Sequence, residues 1–182
     1  LISQGSVKIN GRECGLGDKA LPNKDLISID GENIFVPKKK QMYYIMLHKP
    51  RDYVTTMSDE LDRKCVTDLL KDLPARVYPV GRLDVDTEGL LLISNDGKLT
   101  HEVLSPKKHV DKKYYVEFDG TLPENAVDFF NQPMEFEEFT SAPSKLEISD
   151  TNKAYLTIHE GKFHQVKRMF EALNMKVIYL KR

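Results

Sequence analysis

The chain has 182 residues, 40% of them apolar and 30% charged, with a formal net charge of −1. That balance is ordinary for a folded globular protein, and no apolar run approaches the roughly 18 residues needed for a membrane-spanning helix, which is thereby excluded. Two cysteines, Cys14 and Cys65, are too few for a disulfide framework and lack metal-site spacing, so the expected compartment is a reducing cytoplasm.

Residues 1–7 read as the end of a helix turning into a strand. Val7-Lys8-Ile9-Asn10-Gly11-Arg12 then alternates and meets a hairpin signal in Asn10-Gly11. Residues 26–29 and 34–36 predict short strands around Asp30-Gly31, and Pro37-Lys38-Lys39-Lys40 reads as a linker. The expected boundary therefore divides the chain into residues 1–40 and 41–182. From Gln41 onward an α+β domain is predicted. Residues 43–47 suit a strand by their aromatic and β-branched content, and residues 66–70 a short helix. The run Leu90-Leu91-Leu92-Ile93-Ser94 predicts a strand buried on both faces, ending at Asn95-Asp96-Gly97. Tyr114, Val116 and Phe118 share one strand face, residues 123–131 suit a helix with Pro123 in its first turn, and Ala154, Leu156 and Ile158 alternate. Val166, Met169, Phe170 and Leu173 form a helical stripe that turns Lys167 and Arg168 away from the core. Residues 177–180 are a strand pattern stopping at Lys181-Arg182, so the chain reads as a piece of a longer protein.

Charge is segregated rather than absent. Residues 117–150 carry nine acids against Lys145 alone, whereas residues 161–182 carry six Lys or Arg against Glu171. Lys107, Lys108, His109, Lys112 and Lys113 form a second basic cluster, and Lys38 to Lys40 a third. Such a field draws a polyanion to one side, although each cluster alone also reads as solvated surface.

The densest chemistry lies in GRLDVDTEGLLLISNDG, residues 81–97. Arg82, Asp84, Asp86 and Glu88 sit in a polar loop immediately before an apolar run that can hold them rigidly. An aspartate beside an arginine is biased toward the charged form that a nucleophile or base requires. A loop-pinning Arg82–Asp84 salt bridge is the structural alternative.

This segment resembles the signature of the RsuA-type pseudouridine synthases of small-subunit ribosomal RNA. Three further stretches agree in order: Leu47-His48-Lys49-Pro50, Asp111-Lys112-Lys113-Tyr114, and residues 160–169 (Glu-Gly-Lys-Phe-His-Gln-Val-Lys-Arg-Met). Residues 1–40 resemble part of the alpha-L RNA-binding motif. The resemblance implies a mixed, mainly antiparallel catalytic sheet preceded by that small partial domain. It implies Asp84 as the catalytic residue, attacking the sugar of a flipped uridine or removing a sugar proton so that the base detaches, rotates and rejoins through carbon. Arg82 would occupy the gap left in the RNA, Tyr114 would stack on the base, and Lys167 would pair with Asp84. Lys49, Lys107, Lys108, Lys112, His164, Gln165 and Arg168 would contact RNA. No metal or cofactor is implied, because both exchanged bonds belong to the substrate. The implied partner is ribosomal RNA in a partly assembled small subunit, met by a monomer in the cytoplasm with no membrane involved.

Bland alternatives stand beside these assignments. Tyr114 also fits a core tyrosine, Lys167 and Arg168 the wet side of a helix, and His164 with Gln165 a helix cap. Asp86 and Glu88 fit turn or surface positions. His-Gln-Val-Lys-Arg, where related large-subunit enzymes tend to read Arg-Gln-Ile-Arg-Arg, favours the small-subunit branch. Two other function classes compete: a glycosidase with paired carboxylates, for which the chain lacks tryptophan sugar platforms, and a non-catalytic RNA-binding module, to which a carboxylate amid phosphate contacts brings nothing.

Overall fold

Asn10-Gly11 and Asp30-Gly31 both adopt positive φ (52° and 81°, 50° and 89°), the backbone that mirror-image two-residue hairpins require. They join β1 (Val7–Ile9) to β2 (Arg12–Glu13) and β3 (Ile27–Ile29) to β4 (Glu32–Ile34). These strands form an antiparallel sheet in the order β2-β1-β3-β4, preceded by a 3-10 turn, Ile2–Gln4. The Asn10 side chain fastens it, donating to Asp25 and accepting from the Leu26 amide, both at 2.8 Å. The computed structural model describes residues 1–21, 24–34, 41–70, 76–108 and 110–182, and divides into two units, 1–41 and 42–182. The predicted strand residues Phe35 and Val36, the Lys38–40 cluster and His109 lie outside the described residues.

The second unit holds two sheets. The first is β5 (Tyr44–Lys49), β6 (Tyr78–Val80) and β7 (Gly89–Ser94), in the order β5-β7-β6. The other contains β8 (Lys112–Asp119), β9 (Lys145–Asp150), β10 (Lys153–Ile158) and β11 (Lys176–Lys181), in the order β11-β8-β10-β9. Their strand pairs are antiparallel, and among the described residues parallel pairing is confined to two single bridges, Val54 with Cys65 and Glu88 with Lys181. With α1 (Gly97–Leu104), α2 (Ala126–Phe130) and α3 (Gln165–Glu171), the class is α+β as expected.

Alternation builds the core. Tyr114, Val116 and Phe118 of β8, and Ala154, Leu156 and Ile158 of β10, are all buried. So are Val166, Met169 and Phe170 of α3. Phe170 meets Phe118 and Phe130 at ring-centroid distances of 5.2 and 5.1 Å; fully burying each such ring contributes about 1.5–3 kcal/mol.

Two expectations need correction. Strand β7 is not buried on both faces: Leu91 and Ile93 point into the core, but Leu90 is 45% exposed. It belongs to an antiparallel sheet, which needs only one face on the core. Helix α2 starts at Ala126 rather than Pro123, because the Ala126 amide closes a turn onto the Pro123 carbonyl first. Asn95-Asp96-Gly97 does end β7, but it also opens α1, where the Asp96 carboxylate accepts from the Lys98 and Leu99 amides as an N-cap. Among the described residues, no helix is long and apolar enough to cross a membrane.

Candidate active site

The loop between β6 and β7 carries the carboxylates, and buried groups hold its backbone still. The Thr55 hydroxyl donates to the Leu83 carbonyl (2.7 Å) and accepts from the Leu83 amide (3.2 Å). The Thr87 amide turns back onto the Asp84 carbonyl at 3.1 Å, and the Asp52 amide reaches the Val85 carbonyl at 2.8 Å. Lys49 completes the fastening. It is 0% exposed, and its ammonium donates to the carbonyls of Pro50 (3.0 Å), Val85 (3.2 Å) and Thr87 (2.8 Å). Burial lowers its pKa, opposed by the charges of Asp86, Asp84, Asp52 and Glu88. Lys49 was expected to touch RNA; with its charge sunk among loop carbonyls, it is a fastener instead.

Asp84 projects from this loop with its side chain 29% exposed. Lys167, on α3, places its Nζ 3.4 Å from Asp84 Oδ2 and closer to Asp86, at 2.6 and 2.9 Å from its two oxygens. One ammonium thus serves two carboxylates. Burial works against the Asp86 charge, but the Lys167 hydrogen bond and charge prevail and hold its carboxyl below the usual range. His164, in the left-handed region (φ 51°), points Nε2 to within 3.8 Å of Asp84 Oδ1, an ion pair when the ring is protonated. Its ring lies flat on exposed Phe163 at 3.9 Å.

Tyr114 is 8% exposed, and burial raises its phenol pKa. The positive charge of Arg182 pulls the other way, and the Asp84 charge adds to the rise. On the far side of the loop, Tyr179 donates to Glu88, with Lys181 3.8 Å away. That phenol is pushed up to about 12, its hydrogen bond to Glu88 being the largest cause.

The remaining expected contacts divide. Arg82 is exposed and makes no ion pair among the described residues; the Arg82–Asp84 salt bridge does not form. Lys107 and Lys108 are exposed on a 3-10 turn, Pro106–Lys108. Lys112 is half-buried and donates to the carbonyls of Val110 (3.2 Å) and His159 (3.3 Å); burial first, then the nearby Arg182 charge, lower its pKa. Gln165 was expected to contact RNA but is 3% exposed. Its amide bridges Glu160 (2.8 Å) and the Lys162 backbone (3.0 Å), which fixes the entry to α3. Arg168 is engaged by Glu138 at 2.5 and 2.9 Å and lies over the rings of Phe139 and Phe163. Among the described residues, no group of three His, Cys, Asp or Glu could hold a metal ion.

Sequence reasoning missed two groups. Asp86 was read as a turn residue, and only the fold brings Lys167 to it from 81 positions away. Arg182 was not singled out at all; its signal is the cross-strand register of β11 with β8.

Comparison with known proteins agrees with this geometry. The family described as RNA pseudouridylate synthase matches residues 43–172. The whole chain is 37% identical to the ribosomal large subunit pseudouridine synthase B of Bacillus subtilis, covering 76% of that protein. It is 36% identical to the ribosomal small subunit pseudouridine synthase A of Pasteurella multocida, covering 78% of it. A crystal structure of a pseudouridylate synthase superposes over the whole chain and 78% of its own length, with a TM-score of 0.73 and 36% identity.

Proposed function

The chain belongs to the RNA pseudouridylate synthase family and is an isomerase; from that premise we propose that it converts one specific uridine of small-subunit ribosomal RNA to pseudouridine, with Asp84 as the catalytic residue. The observation that carries this reading is the Asp84 carboxylate on a loop clamped by Lys49 and Thr55, with Lys167 at 3.4 Å. A carboxylate fixed in place on a clamped loop is poised to act as nucleophile or base. Asp84 acts on the sugar, by attack at its anomeric carbon or by removal of a sugar proton. The bond from that carbon to the ring nitrogen breaks, and the uracil leaves with the electron pair. After the ring rotates, a ring carbon bonds to the anomeric carbon, displacing the Asp84 carboxylate or, on the other route, with the sugar proton returned. The ring carbon then gives up its proton, and the freed ring nitrogen gains one. Substrate atoms balance throughout, so no cofactor or metal is called for.

A uridine inside folded RNA must first leave its stack, which costs a few kcal/mol. Exposed Arg82, beside Asp84, is suited to occupy the gap. Lys107, Lys108 and Lys112 add positive charge for the RNA and His164 a further contact, and residues 1–40 serve as a partial alpha-L RNA-binding domain. The protein acts as a monomer in the cytoplasm on a partly assembled subunit.

A second reading, large-subunit ribosomal RNA as substrate, is favoured by the likeness to the Bacillus subtilis protein. Pseudouridine mapping of both ribosomal RNAs, free and in assembly intermediates, tests both. The full-length protein is expected to convert one uridine of the small-subunit RNA, and its Asp84→Asn form none, with RNA affinity retained. Conversion confined to the large-subunit RNA selects the second reading. No conversion in any particle would leave a non-catalytic RNA-binding module.

A further inference from the structure

Phe163 is 68% exposed, more than any other phenylalanine or tyrosine among the described residues. The same chain buries Phe118, Phe130 and Phe170 completely, so this ring forgoes free energy that burial would supply. Its place is nonetheless fixed. Glu160 Oε1 accepts from the Ala142 amide and from the Gln165 side-chain amide, both at 2.8 Å, and Gln165 Oε1 accepts from the Lys162 amide at 3.0 Å. These bonds tie down the turn on either side of the ring.

His164, next along, holds the left-handed backbone (φ 51°, ψ 27°), a costly conformation for a residue with a Cβ. Its imidazole lies flat on the Phe163 ring, with centroids 3.9 Å apart and planes 17° from parallel. The Nε2 of that imidazole is 3.8 Å from Asp84 Oδ1. The side chains therefore run outward in order: Asp84, His164, then Phe163 with open ring surface. Two cations border the ring. Lys162 is exposed, and the Arg168 guanidinium, paired with Glu138, lies 5.7 Å from the ring centroid.

A uridine that leaves its stack to reach Asp84 uncovers a face of each base it leaves behind. An aromatic ring can cover such a face whatever the base, because every base has a π-face, and a neighbouring lysine suits the accompanying phosphate. We propose that the open surface of Phe163 is a subsite for an unpaired RNA base adjoining the target uridine, which stacks there and holds the strand while Asp84 acts. The subsite grips without reading base identity. The proposal rests on the reading of Asp84 as the residue that acts on a flipped uridine.

Two measurements on the full-length protein test it. Residues 1–182 contain no tryptophan, so Phe163→Trp adds an indole whose emission is read as the difference from the wild type. With Asp84→Asn also present, so that turnover does not intervene, a single-stranded oligouridylate of about nine nucleotides is expected to quench that emission about twofold. Inorganic polyphosphate, which offers charge without bases, is expected to leave it unchanged. The second measurement is turnover on whichever ribosomal RNA the wild type converts. Phe163→Leu keeps apolar bulk without the π-face and is expected to raise KM about tenfold with kcat within about threefold, whereas Phe163→Tyr keeps the wild-type KM. The exposure of this side chain lets both substitutions leave the core intact. No quenching by oligouridylate, equal quenching by polyphosphate, or a wild-type KM in the leucine form overturns the proposal. Quenching in a protein that converts no RNA would sink the assigned activity and leave the base subsite standing; conversion without quenching does the reverse.

Discussion

Replacing Lys49 by methionine removes one charge and leaves the side chain's length almost unchanged, which isolates what the ammonium does. It donates three hydrogen bonds, to Pro50, Val85 and Thr87, at 2.8–3.2 Å. Hydrogen bonds to a charged group stabilise by about 1.5 kcal/mol each at the low end, so their loss comes to about 4–5 kcal/mol. Relief of the buried charge returns about 2 kcal/mol of that, leaving a net destabilisation of about 2–3 kcal/mol. At about 3 °C per kcal/mol for a protein of this size, Tm should fall by about 6–9 °C. The assay is thermal unfolding followed by near-ultraviolet circular dichroism, together with hydrogen exchange at the Thr87 amide, which closes the turn onto Asp84. Faster exchange there is expected even well below Tm, because the 85–87 carbonyls lose their common anchor. If Lys49→Met melts within about 2 °C of the wild type and the Thr87 amide is equally protected, the loop is held by other means and the clamp is wrong.

Other outcomes follow from the same geometry. Gly89→Ala should destabilise by about 3 kcal/mol, since φ is +109° there and the new Cβ would meet the Arg182 backbone; an unchanged urea midpoint would refute the close approach. Lys167 holds the Asp86 pKa below its ordinary 3.8. Their pairing therefore adds stability that is fully present above that value and is lost as pH falls through the lower, folded-state one. Asp86→Asn should flatten the acid limb of the stability profile, and an unaltered limb would mean that the pair contributes nothing. Neutralising Lys107 and Lys108 together should make the salt dependence of RNA binding shallower by about 1.5 in log–log slope; the wild-type slope would make them ordinary surface.

Much of the site was legible in the sequence because its chemistry is concentrated in one short stretch. Asp84 and Lys167 were marked by the resemblance of residues 81–97 and 160–169 to family motifs; by pattern alone they read as a loop-pinning ion pair and the wet side of a helix. Lys49 was not legible: lysines are almost never fully buried, and nothing local signals three carbonyls waiting for one. The same limit hid Arg182, whose meaning depends on register between strands far apart in the chain. Leu90 misled because an unbroken apolar run looks the same whether a sheet is covered on one face or two. Gln165 read equally well as a ligand contact or a cap, and only the position of Glu160 separates the two.

The Asp84 loop gains its ammonium and its arginine late in synthesis. Lys167 follows Asp86 by 81 residues, and Arg182 follows Leu90 by 92. At about 5–20 residues per second, a ribosome takes roughly 4–20 s to make either stretch. Throughout that interval the nascent chain carries the Asp84 carboxylate without the side chains that approach its loop from α3 and the end of β11 in the finished fold.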